Sequence, residues 1–597
     1  MADRPALGRD DEAVSLQPRP WPEVPALTAQ FARAAFPKGS LAMRLRDVLG
    51  PVYTDERFTA AFGVRGRPGI SPAQLMMVVV LQFTENLTDR QAADAVRGRL
   101  DWKYCLGLEP GDSGFDASVL TEFRARLVDG ELLTLALDAL LARLVAEGLL
   151  KSGGRVRTDS THILGAIRHL NRLELAGETM RAALEALAAA APDWLTTVID
   201  ESWQRRYGTR IDTWHLPESD TKRNALMVQY GRDGYRLLEA VHAPGAPAWL
   251  REIPAIDVLR RIWLQQFHRA IGADGSEVVR RRESASSKDG DGLPPGRDGL
   301  VSPYDLDARH SVKRDHGWDG YKIHASETCD DTPATAPPDA TDTADTATAG
   351  TAAERGDIPN LIVGVVTTPA AVSDAAALDD IHAELARNNL LPGEHLLDSG
   401  YPSADQVVRS ARVHGIRLVS PLLVDQSRQA KAKAGYDKAG FTFDFDHQHG
   451  TCPQGRASVT WNPCRQESRD AIVVSWAASD CGPCPARDLC TKGTRRQVTL
   501  RERALHEATV AARAEQETDQ WKRTYAVRSG IEGTMHQTTH VTGIRTARYR
   551  GLPKTRLEHN FAATAINMIR LDHYWTGQPL DRTRTSQLAR LTFALAA

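Results

Sequence analysis

Apolar residues recur every three to four positions through most of the first 150 residues, a period that predicts amphipathic helices. A Ser71-Pro72 start precedes the run Leu75 to Phe83 (LMMVVVLQF), and a second start at Thr88-Asp89 leads into RQAADAVRGRL. Two more helices follow, one in SGFDASVLTEFRARLVD and one in ELLTLALDALLARLVAEGLL. Residues 28–150 therefore read as an all-helical module behind a flexible, Pro-rich tail, 1–27.

At Gly154 the period changes. RVRTDSTH has the alternation of a short strand, with Asp159 closing it, and the chain then returns to Ala/Leu-rich helical sequence, read as a helical insertion over 171–300. WDGYKIHASET and IPNLIVGVVTTPA read as two paired strands. Between them, 329–358 is rich in Thr, Ala, Asp and Pro with almost no large apolar side chain, the composition of a disordered loop. Helix, strand, helix and strand follow in AAALDDIHAELARNN, EHLLDSG, SADQVVRSARVHG and IRLVSPLL, which predicts an α/β domain with a central sheet. A polar segment with most of the cysteines covers 424–500. One long helix is expected from Arg501 through Glu532, another closes the domain, and 576–597 is a second tail. The α/β core is thus assembled from 151–170, 301–423 and 501–575.

Composition narrows the class less than pattern does. The formal net charge is −2, but Lys492 to Arg570 holds fifteen Lys and Arg against seven Asp and Glu, so a basic stretch sits within a neutral chain. No apolar run approaches the roughly 20 residues a membrane helix needs, and the N-terminus lacks the apolar stretch of a signal peptide. A cytoplasmic protein with no membrane contact is expected. Seven cysteines, an odd number gathered mostly in one segment, argue for a local metal site over a disulfide framework.

Three acids stand out. Asp159 and Asp398 fall at predicted strand ends and Glu532 on a predicted helix, an arrangement able to converge on hard divalent cations such as Mg²⁺ or Mn²⁺. Singly, each is as well explained as a cap or turn residue. Their surroundings say more. TDSTH (Thr158 to His162), LLDSGY (Leu396 to Tyr401) and YAVRSGIEGT (Tyr525 to Thr534) resemble the three acidic motifs of bacterial insertion-sequence DDE transposases, in the same order. GFDASVLTEFRARL, SPYDLDARHSVKRD with GWDGYKIH, and GIRTARYRGLPKT resemble the same family, so the likeness spans most of the chain from Phe36 to Leu571.

The resemblance implies a ribonuclease-H-like catalytic core with a mixed sheet flanked by helices. It also implies two metal ions held by Asp159, Asp398 and Glu532, and hydrolysis and strand transfer at the ends of a DNA element by cut and paste. Double-stranded DNA, both element ends and target, would be the partner, with two copies of the chain pairing on it and the protein working at the nucleoid. The alternative is a transposase-derived DNA-binding protein that has lost catalysis. Tyr525, Arg528 and Glu532 match the Tyr-Arg-Glu portion of a family signature, but Thr539 stands where its lysine belongs, followed by His540.

On a helix, Arg528 and Glu532 are either an i,i+4 ion pair or, with Tyr525, a face that grips DNA. Arg545, Arg548, Arg550 and Lys554, interleaved with glycines and Tyr549, are candidate backbone contacts beside the third acid, as is Lys322 in GYKIH. His162 and His324 are better read as hydrogen-bonded structure. Cys452, Cys481, Cys484 and Cys490 form a candidate four-thiolate Zn²⁺ site with Cys464 as a spare, or else remain reduced thiols like Cys105 and Cys329. In the helical module, SPAQLMMVVVLQFTENLTDRQAADAVRGRL fits either a helix-turn-helix for terminal repeats or a structural hairpin.

Overall fold

A computed structural model describes residues 14–63, 66–212, 216–283, 292–313, 315–329, 358–422, 425–466 and 469–577. Its centre is a six-stranded mixed sheet. The strands are β1 (Arg155–Leu164), β2 (Arg309–Lys313), β3 (His316–Thr328), β4 (Ile362–Pro369), β5 (Glu394–Leu397) and β6 (Arg417–Val419). In space they run β6, β5, β1, β3, and β3 is long enough for two neighbours, β2 along its first residues and β4 along the rest. β5 pairs in parallel with both β1 and β6, whereas β3 is antiparallel to β1, β2 and β4. Val156, Thr158, Thr161 and Ile163 supply the β-branched side chains that favour β1.

Helices cover the sheet. The final one, Leu552–Trp575, is buried on nearly every side, and even its Glu558, His559, Asn560, Thr564 and Asn567 are out of solvent. It has to be, because it is wedged between the sheet and the N-terminal helices. Asn567 bonds both the N–H and the carbonyl of Ile362 in β4, each at 2.8 Å, and Phe561 meets Phe83 at 5.6 Å between ring centroids. The expected helix Pro72–Thr84 is buried from Leu75 to Phe83 without a break, which is the position that an all-round apolar helix requires. One hydrophobic cluster runs from Ala42 in this module through Val156 and Ile323 of the sheet to Leu571. The 28–150 module and the sheet thus share a single core.

Three expectations need correcting here. The described part of the N-terminal tail is not loose, since Val14–Ser15 pairs with Arg67–Pro68 and Trp21 packs on the core. The insertion over 171–300 is helical around its own core of Trp203, Tyr207, Tyr230 and Trp263, but it ends in a β-hairpin, Phe267–Ile271 with Glu277–Arg281. Gly275, at φ +78°, makes the turn that a helical reading overlooks. The single helix expected from Arg501 is instead Arg503–Gln516, then Asp519–Ala526, a 3-10 turn Val527–Ser529, and Gly530–Val541. Thr518 stops the first, its hydroxyl accepting from Trp521 N at 3.2 Å as an N-cap. Most of the loop expected at 329–358 and of the tail at 576–597 lies outside the described residues. Cys329, at the loop's start, is buried at the end of β3.

Candidate active site

Strand register brings the first two acids together. In the parallel pairing of β1 with β5, Thr158 lies opposite Leu397, so the next residues along each chain are Asp159 and Asp398. Asp159 is mid-strand in a ten-residue β1, not at a strand end as expected; it is β5 that stops beside it. Asp398 is the first residue beyond β5, where its Oδ1 accepts from Ser399 N at 2.6 Å and its carbonyl accepts from Ser420 Oγ at 3.0 Å. Asp159 Oδ1 accepts from Ser160 N at 2.7 Å. Burial raises the Asp159 carboxyl above its ordinary pKa, against the pull of the nearby Arg528 cation.

Glu532 arrives in the first turn of Gly530–Val541, and a buried network sets where that helix begins. Arg157, two residues before Asp159, donates from Nη1 to the carbonyl of Val527 at 2.6 Å and from Nε to Glu327 at 2.7 Å. Glu327, fully buried on β3, also accepts from Arg570 at 2.8 Å and from the Thr534 hydroxyl at 2.6 Å. Strand β1, the turn leading into Gly530–Val541, that helix and the final helix thus meet through one carboxylate. Gly530 makes the approach possible, since a Cβ there would stand 2.1 Å from Arg157 Nη1. None of Arg157, Glu327, Thr534, Arg570 or Gly530 was singled out from the sequence. The one available signal was Arg157 next to a candidate acid, and nothing in sequence tells that its partner lies 170 residues on.

Arg528 stands among the three acids. Its Nη2 is 2.9 Å from Asp159 and 3.9 Å from Asp398, and its Nη1 is 3.3 Å from Glu532. The expected i,i+4 pair is therefore present, as one arm of a four-member cluster. Burial alone would lower the Arg528 pKa, but the carboxylates of Asp159 and Asp398 outweigh it and the net direction is up. Tyr525 stacks on Trp521 at 4.8 Å and is half-buried.

Behind the acids lies a set of buried histidines. His395 bonds Thr158 at 2.6 Å and His382 at 3.0 Å, while His324 bonds the Tyr401 hydroxyl at 2.8 Å and Thr368 at 3.2 Å. His559 bonds Thr367 at 2.8 Å. Burial holds all of them neutral, lowering His324 and His382 to about 4, His559 to about 3 and His395 well below its usual range. His324 is thus structural, as read from the sequence. His162 packs against Trp318, 5.4 Å between rings.

The basic candidates separate into two groups. Arg545 donates to Thr161 and to the carbonyl of His162, and Arg548 to Leu87 O and Asn86 while lying over the Phe83 ring. Both guanidiniums tie elements together. Lys322 is engaged by Asp374 at 3.1 Å and the carbonyl of Val372 at 2.9 Å. Arg550 and Lys554 are exposed, with Arg550 Nε donating to the carbonyl of Ala166 at 3.2 Å. In the helical hairpin, Pro72–Thr84 is entirely internal, whereas Asp89–Gly98 turns Arg90, Asp94 and Arg97 to solvent.

Cys452, Cys481, Cys484 and Cys490 line one small cavity of about 30 Å³ together with Arg456, Trp476 and Arg496, and Cys464 lies apart on the strand Thr460–Gln466. Among the described residues, however, no group of three or more His, Cys, Asp or Glu is arranged to hold a metal ion. For the thiols, arginine and tryptophan side chains share the cavity wall, and the Zn²⁺ expectation gains no support. At the acids, the Arg528 guanidinium lies between the carboxylates.

Geometry and order therefore define a class: a mixed α/β protein presenting three carboxylates, from two adjacent interior strands and a helix, where β5 ends beside β1. Comparison with known families agrees. Residues 451–572 match the transposase DDE domain, and residues 30–126 match a second transposase domain, DUF772. Lying toward opposite ends of the chain, both matches are to transposase domains, in line with the resemblance of the three acidic segments. The DDE match contains Glu532 but neither Asp159 nor Asp398. No curated protein and no solved structure matches the chain. No helix among the described residues is long and apolar enough to cross a membrane.

Proposed function

We propose that the protein cuts and rejoins the DNA ends of its own element, with Asp159, Asp398 and Glu532 as ligands of two divalent ions on a ribonuclease-H-like core. The observation that carries this reading is the convergence of three acids, distant in sequence, on one cation where β5 ends beside β1. A cluster of carboxylate oxygens around a positive charge is chemically suited to Mg²⁺ or Mn²⁺. The strand order, with the antiparallel pairings β1–β3 and β3–β4 on one side and parallel β5 and β6 on the other, supports the same reading. Bound there, two such ions would activate a water or a 3′-hydroxyl and stabilise the leaving oxygen of an in-line displacement.

The chain's own residues hold and orient. Register fixes Asp159 beside Asp398, and the Arg157–Glu327–Arg570 network fixes the helix that presents Glu532. Arg550 and Lys554 are the exposed cations best placed to take DNA backbone, and Tyr525 and Arg528 lie next to the acids where the scissile phosphate would rest. Joining two ends calls for two copies of the chain on DNA, at the nucleoid. The test is a labelled fragment carrying the element's ends, incubated with Mg²⁺ or with EDTA, alongside Glu532→Gln. Nicking at the ends that needs the metal and vanishes in the variant is the expected result. End-specific binding without cleavage would instead identify a transposase-derived binding protein.

A further inference from the structure

The acids that this reading gives to metal ions are, in this structure, the partners of a guanidinium. Arg528 is the inner member of the cluster: its side chain is 11% exposed, against 50% for Asp398 and 67% for Glu532. It reaches all three from the short turn Val527–Ser529, whose backbone is held from beneath by Arg157 on the Val527 carbonyl. Its commitment is incomplete. The Nε–H is shielded from solvent and has no hydrogen-bond partner among the described residues, and the 3.9 Å approach to Asp398 is too long for a hydrogen bond. An arginine presents five donors in a fixed fork suited to phosphate, and this one has donors to spare.

Carboxylates that neutralise a guanidinium cannot at the same time surround a divalent ion, because two cations would then share one space. A DNA phosphate changes the balance by offering the guanidinium an anion that can accept two parallel hydrogen bonds outside the cluster. We propose that Arg528 couples DNA to metal. Without DNA it serves as the counterion of Asp159, Asp398 and Glu532 and opposes divalent ions; a backbone phosphate draws it away and releases the acids as ligands. The coupling is reciprocal, so metal also tightens the grip of Arg528 on phosphate. One consequence is that the hydrolytic centre assembles only on DNA. The inference rests on the assignment of the three acids as metal ligands, and its test separates the two.

Mn²⁺ binding to the full-length protein is followed by loss of the free-ion paramagnetic resonance signal, with and without a duplex carrying the element's end. Sites are counted as those lost in Asp159→Asn. Wild type is expected to bind Mn²⁺ about tenfold or more tightly with the duplex, within the usual range of such couplings. Arg528→Gln, which keeps most of the stem, should bind Mn²⁺ about tenfold more tightly than wild type without DNA and gain little when it is added. Equal wild-type affinity with and without the duplex overturns the proposal without need of a variant, as does an unchanged DNA-free affinity in Arg528→Gln. If Asp159→Asn loses no sites, the acids are not ligands and the proposed function itself fails.

Discussion

Glu327 shows how much of the site depends on a residue that never meets substrate. It is fully buried on β3 and balances Arg157 and Arg570, each of which reaches a different element. Glu327→Gln would leave two guanidiniums facing a neutral amide in the interior, where breaking such a cluster costs about 3–5 kcal/mol. Urea unfolding should show a loss of that order, and a change below about 1 kcal/mol would mean the arginines find other partners. The buried histidines make a second prediction. His324, His382, His395 and His559 stay neutral in the fold well below the pH at which they protonate in the unfolded chain. Below about pH 6.5 the unfolded state therefore takes up protons that the native state refuses, and stability present above that pH is lost as pH falls. Glu558, which burial pushes up to about 8, works in the opposite sense, but it is one group against four. The melting temperature should drop steeply between pH 7 and 5, and a flat profile there would refute the assignment of these groups as neutral.

Among elements, the helix Gly530–Val541 offers the sharpest test. Helix propensity alone says that Gly530→Ala should stabilise Gly530–Val541 by up to about 1 kcal/mol. Packing says otherwise, because the added Cβ would stand 2.1 Å from Arg157 Nη1 and push the helix start away from β1. Since misplacing a catalytic group by about 1 Å can cost 10²-fold, end cleavage should fall at least tenfold while DNA binding persists. Cleavage at the wild-type rate would show that the helix accommodates the methyl. Element type was largely legible along the chain: the apolar run at Leu75 to Phe83, the strand in RVRTDSTH and the α/β alternation after Ser373 all appear in place. What escaped was local and short. The cap at Thr518 interrupts a helical period that otherwise continues, and Gly275 turns a hairpin inside a helix-rich insertion.

At the scale of the whole molecule, the helical N-terminal region and the sheet share one hydrophobic core, which predicts that they fold together. The helix Leu552–Trp575 has one face on Phe83 and another on β4, and Gly543, at φ +74°, lets Asn86 come so close that a Cβ would stand 2.4 Å from its side chain. A chain lacking residues 1–150 would expose the apolar surface of that helix and of the sheet beneath it. It is expected to aggregate or to lack a cooperative melt. A soluble fragment with a sharp thermal transition would show that the two parts fold independently.

The sequence alone determined the periods, the segments that resemble transposase motifs, and the identity of the acids, because these are carried by neighbours within a few residues. Convergence is a different kind of fact. Only the register of β1 against β5 sets Asp159 beside Asp398, and only the packing of Gly530 on Arg157 delivers Glu532. Only then does Arg528 have three acids to balance, since ion pairs between segments hundreds of residues apart form when chain topology brings them within a few ångströms. The same holds for the basic stretch near the C-terminus, where charge counts treat Arg548 and Arg550 alike. Tertiary structure gives the half-buried Arg548 guanidinium to Leu87 O and Asn86, whereas Arg550 spends only its Nε on Ala166 O and stays exposed, because a guanidinium drawn out of water must find acceptors and an exposed one has water.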